Sequence, residues 1–82
     1  MRLDKFLKLS RLIKRRSVAK EATTNEFVYV NDKPQKPGYR VKIGDVIEIR
    51  FAAKIVKVEV TALNLQKDSL MYKLLTETKV TA

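Results

Sequence analysis

The hydrophobic pattern of this chain changes period at Phe27, and that change limits the folds open to it. Before Phe27 the apolar residues recur at helical spacing; after it they alternate. On a helical wheel, Leu3, Phe6, Leu7 and Ser10 fall within an arc of about 100°, with Arg2, Lys5 and Lys8 opposite. A helix over 2–10 with a basic outer stripe is predicted. Leu9 would point out among the bases, so regular helix should end near it. Leu12 and Ile13 then sit in a connecting turn and plug the core. Ser17 is placed to cap a second helix, although Lys20 stands where a capping box has Glu or Gln. Val18, Ala19 and Ala22 share one face of that helix and are small enough for close packing. Thr23, Thr24 and Asn25 should end it, with Asn25 as the left-handed terminator.

Beyond Phe27 the segment Phe27-Val28-Tyr29-Val30 is rich in strand formers, and Asn31-Asp32 is a turn pair. Pro34 and Pro37 bracket a short extended piece, Pro37-Gly38 turns the chain, and Val41 to Asp45 form a second turn. In 46–51, Ile47, Ile49 and Phe51 point one way and Glu48 and Arg50 the other. In 55–61, Val56, Val58 and Val60 point inward and Lys57 and Glu59 outward, so the two segments should form a hairpin. After the polar break Gln66–Ser69, Leu70, Met71, Leu74 and Leu75 have a spacing that favours a short helix, with a closing strand as the competitor. The predicted fold is α+β: two N-terminal helices packed on a small curved, mostly antiparallel β-sheet, with a short C-terminal helix or strand. Eighty-two residues allow one domain with a thin core, placed at 1–75, and 76–82 reads as a frayed tail.

Charge is distributed very unevenly. Eight of the eighteen Lys and Arg residues, but only one of the nine acids, lie in Met1–Lys20, which therefore carries seven of the nine net positive charges. Most charge runs are simply solvated helix faces. Here the bases continue from one helix through the connecting loop into the next, and four are arginines, whose forked donors suit phosphate oxygens. Arg2, Lys5, Lys8, Arg11, Lys14, Arg15 and Arg16 are thus the candidate phosphate contacts, with Arg2 and Arg16 first. Asp4, inside the block, either complements the helix dipole or orients an arginine such as Arg15 or Arg16. Ser10 and Ser17 read as caps or turn residues that support the surface. Phe27, Tyr29 and Tyr39 have faces for base stacking, but their place in or beside strands favours packing. Lys33, Lys36 and Arg40, around the proline turn, are left open.

The composition argues against several other activities. Without His or Cys the commonest bases, nucleophiles, metal ligands and disulfides are missing. Gly38 and Gly44 are the only glycines, too few for a phosphate-cradling loop, and the carboxylates are scattered. No enzyme activity, cofactor or metal is expected. Apolar runs of three or four residues do not cross a membrane, and no apolar segment of a secretory signal follows the basic start. A cytoplasmic monomer binding a polyanion is expected.

The ordered set Arg2-Leu3-Asp4-Lys5-Phe6-Leu7, Ser10-Arg11, Lys14-Arg15-Arg16-Ser17-Val18-Ala19, Val28-Tyr29-Val30-Asn31 and Val41-Lys42-Ile43-Gly44-Asp45 resembles the S4-type RNA-binding domain. The likeness covers a core motif of about 1–51. Family members usually carry Gly where Asn25 or Glu26 stands, and again where Asp32 stands. The chain is most similar to free-standing bacterial members, without the catalytic domain of pseudouridine synthases or tyrosyl-tRNA synthetases. That resemblance implies binding to the large ribosomal subunit, with contacts to 23S rRNA and to peptidyl-tRNA. It also implies a protein partner, the quality-control elongation factor that adds alanine to stalled nascent chains. Another rRNA- or tRNA-binding rescue or assembly factor is the alternative, and a small DNA-binding protein a more distant one.

Overall fold

A computed structural model describes residues 1–64 and 70–80. Two helices, α1 (Leu3–Leu9) and α2 (Arg16–Thr24), precede five strands. These are β1 (Val28–Val30), β2 (Lys33–Pro34), β3 (Val46–Arg50), β4 (Lys54–Val60) and β5 (Tyr72–Lys79). They form one antiparallel sheet in the order β2-β1-β3-β4-β5. Leu3, Phe6 and Leu7 of α1 are buried, and so are Val28, Ile47, Ile49, Val56 and Val58 of the sheet, as their alternation requires. Ile13 is buried in the interhelical turn and Leu12 packs against the core, as the sequence predicts.

The second helix differs from expectation at both ends. It begins at Arg16, with Arg15 at the cap position and no side-chain cap, so Ser17 lies inside the first turn with its side chain exposed. At the other end Asn25 is not left-handed (φ −89°); Glu26 is, at φ 61°. That conformation lets Glu26 N–H donate to the Thr23 carbonyl at 3.3 Å and Phe27 N–H to the Ala22 carbonyl at 2.9 Å, a Schellman ending. The inward face also shifts. Val18 is exposed, whereas Thr23 is buried, its hydroxyl donating to the Ala19 and Lys20 carbonyls. Glu26→Gly should remove the strain of a left-handed Cβ. We expect a gain of about 0.5–1 kcal/mol, visible as a melting temperature higher by roughly 2–8 °C.

Asn31 and Asp32 both have positive φ (50° and 69°) between the paired Val30 and Lys33, so the β1–β2 hairpin turns through a type I′ loop. Pro34 lies on the edge strand, where its missing N–H costs least. The turn before β3 is organised by Asp45, a buried carboxylate. It accepts from Lys42 N–H (2.9 Å), the Tyr39 hydroxyl (3.0 Å) and the Asn31 side-chain amide (3.2 Å). Gly44 supplies the φ of 94° that the turn requires.

The C-terminal segment is a strand and not the helix its leucine spacing favours. β5 pairs with β4 from Val60↔Tyr72 to Lys54↔Lys79, with a register shift that leaves Leu75 between the partners of Val58 and Lys57. Leu75 is the extra residue of that bulge, so the neighbouring leucines interrupt the two-residue alternation of a strand and do not mark a helix face. The open edge of β4 offers a full ladder of backbone partners, and Thr76 and Thr78 suit it. Thr76–Lys79, expected to fray, belong to β5. The polar break Gln66–Ser69 lies outside the described residues. No helix among the described residues is long and apolar enough to cross a membrane.

Candidate RNA-binding surface

All seven candidate bases are exposed, on α1, on α2 and on the loop between them. Arg2 precedes α1, which carries Lys5 and Lys8 on its outer side. Arg11 and Lys14 lie in the connecting loop, and Arg15 and Arg16 open α2. Arg11 has φ 65°, so its N–H turns back to the Lys8 carbonyl at 3.1 Å and closes α1. A bulky residue in this conformation carries strain, which is commonest at functional positions.

Asp4 joins the two helices electrostatically. It is 1% exposed, yet ionic partners reach it from both helix starts. Arg2 grips it with Nε on Oδ1 at 3.2 Å and its terminal nitrogen on Oδ2 at 3.3 Å. Arg16 Nε stands 3.5 Å from Oδ2. Lys5 N–H donates to Oδ1 at 2.9 Å, so the carboxylate also satisfies a free donor of the first turn. Asp4 thus meets a first-turn N–H and the guanidinium groups of Arg2 and Arg16 at once; of the two arginines the sequence suggested, Arg16 is engaged and Arg15 has no ion pair among the described residues. Their side chains remain 44% and 53% exposed, leaving outer N–H groups free for an incoming anion.

The start of α2 is unfavourable for folding alone. Lys14, Arg15 and Arg16 crowd the positive end of the helix dipole, where no side chain caps the free N–H groups. An anion there would be met by fixed guanidinium charge and backbone donors together. The other candidates divide. Ser10 is buried and donates to the Leu7 carbonyl at 3.2 Å, a helix-end role. Tyr29 lies on the outer sheet face under Arg50, 4.2 Å from guanidinium carbon to ring centre, and Tyr39 holds Asp45. Phe27 is half exposed at the end of α2. Among the described residues no cluster of His, Cys, Asp or Glu could hold a metal ion.

Comparison with known proteins agrees with this fold. The S4 domain model matches residues 1–47. A Listeria innocua protein, "RQC P-site tRNA stabilizing factor", is 49% identical over 81 residues, covering 94% of this chain and 88% of its own. The Bacillus subtilis protein of the same name is 43% identical over 84 residues, covering 98% of each chain. Heat Shock Protein 15 of Vibrio cholerae, a trimer in its structure, superposes with a TM-score of 0.82 at 26% identity, over 92% of this chain and 81% of that one. The chain belongs to the S4 domain family. Within it, the chain is similar over nearly its whole length to the tRNA stabilizing factors of these bacteria.

Proposed function

We propose that this protein docks on folded RNA of stalled large ribosomal subunits in the cytoplasm. There it contacts 23S rRNA and steadies P-site tRNA, while the quality-control elongation factor adds alanine to the nascent chain. The names of the relatives support the tRNA and the quality-control setting. The observation that carries the reading is the shared Asp4, which holds Arg2 and Arg16 as one pre-set pair of forks at the meeting of two helices. Forks fixed before binding lose little side-chain entropy on meeting phosphate. The action is positioning; no bond is made or broken. The acting unit in this reading is a monomer, unlike the Vibrio trimer.

The test is co-sedimentation with large subunits, with and without peptidyl-tRNA. Loaded subunits should retain more protein, and log affinity should fall with log salt at a slope of about −3 to −5. Arg16→Ala leaves the Arg2–Asp4 pair in place, so it should weaken binding by about tenfold or more with little change in the thermal melt. Retention of Arg16→Ala at the level of the unmodified protein would remove the helix face from the reading. Equal displacement by duplex DNA would redirect it to DNA.

A further inference from the structure

The backbone before α1 does not end freely at the surface. Leu3 N–H donates to the Tyr39 carbonyl at 2.8 Å, and Val41 N–H donates to the Met1 carbonyl at 2.9 Å. Asp4 N–H adds a bond to the Pro37 carbonyl at 3.3 Å. Between the first two bonds, Arg2 and Arg40 stand directly opposite as an isolated antiparallel bridge. With the hydrogen bonds on the flanking residues, this is the narrow kind of pair, in which Cα atoms lie about 4.5 Å apart and the side chains come closest. Both residues are exposed. Like charges directly opposite destabilise a strand pair. Arg2 is already satisfied by Asp4, whereas no carboxylate among the described residues pairs with Arg40.

The segment carrying Arg40 is held from two sides. The N-terminal backbone grips it at Tyr39 and Val41, and the Tyr39 hydroxyl is anchored on Asp45. The chain therefore keeps a second arginine directly opposite Arg2 on a braced backbone, at a cost in folding. An anion seated across the pair removes that cost.

We propose that Arg40 and Arg2 form a two-guanidinium seat for one RNA backbone phosphate, extending the docking surface from the helices onto the loop before β3. The inference rests on the RNA-docking reading above. Its ligand is a phosphodiester, a geometry suited to two forked donors.

Arg40→Glu separates this role from a structural one. It places a carboxylate opposite Arg2, so the melting temperature should stay level or rise. Affinity for large subunits should nevertheless fall about tenfold or more near 0.1 M salt, through loss of one charge-assisted contact and repulsion of phosphate. Arg40→Ala should weaken binding by roughly threefold to tenfold and make the salt slope shallower by about one. Lys79→Glu, the same charge change on β5, should cost about twofold at most through the general field. Arg40→Glu binding no weaker than Lys79→Glu would overturn the seat, and loss of binding by Arg16→Ala in the same series would leave the helix-face reading standing. Absence of salt-dependent binding by the unmodified protein would overturn both.

Discussion

Asp45→Ala should destabilise the fold by about 2–4 kcal/mol, lowering the melting temperature by more than roughly 10 °C, because it strands several donors at once. The carboxylate is buried and joins three separated pieces of chain: Asn31 of the hairpin turn, Tyr39 of the proline loop and Lys42 of its own turn. Asn31 in turn accepts from Val46 N–H at 3.0 Å, where β3 begins. By contrast the Lys54–Glu77 pair, at 3.2 Å and about half exposed, should be worth about 1 kcal/mol at most. Thermal melts of alanine variants at the two sites test that ranking.

The same hub has an alkaline signature. The Tyr39 phenol is shifted above its ordinary pKa, first by burial and then by its hydrogen bond to Asp45 and that carboxylate's charge. The folded state therefore keeps this proton where the unfolded chain has lost it. Its stabilising effect is complete below about pH 10 and fades as pH rises through the raised folded value. Tyr39→Phe should flatten the alkaline loss of stability and leave the acid side unchanged.

What the sequence made legible was local. The periods of α1, β3 and β4 were read correctly because each is set by neighbouring residues and one buried face. Asn31-Asp32 was legible for the same reason: two residues that tolerate positive φ, between strand formers. β5 was not, because a bulge at Leu75 breaks its alternation and imitates a helix, and because its driving force is the distant edge of β4. The start of α2 was misplaced by two residues, since a serine is an attractive cap while Arg16 is held by Asp4 of another helix. The seven exposed bases were visible as a block, with Arg2 and Arg16 put first, but the contact that sets these two apart was not. Their shared hold on Asp4 spans two helices, and the opposition of Arg2 and Arg40 depends on a pairing remote in sequence. Whether an arginine is fixed or free is a property of tertiary contacts, so composition cannot rank it.

Asp4→Asn distinguishes a positioned surface from a merely basic one, because the two make predictions of opposite sign. The substitution keeps size and shape and raises the net charge of the binding face by one. A surface acting through its summed field would bind polyanionic RNA more tightly, with a steeper salt dependence. A surface acting through fixed forks would bind more weakly, because Asn offers Arg2 and Arg16 one neutral oxygen in place of a carboxylate, and their like charges then drive them apart. We expect the second outcome, a loss of about tenfold in affinity at moderate salt, with the salt slope preserved or steeper. Stability should fall too. The buried carboxylate also receives Lys5 N–H, but Asn keeps an oxygen for that bond, and both arginines are half exposed. The cost is therefore about 1–3 kcal/mol, below that of a fully buried ion pair. Binding measured well below the lowered melting temperature separates affinity from folding. Tighter binding by Asp4→Asn under those conditions would mean that the arginines act as diffuse charge and that Asp4 serves only the helix.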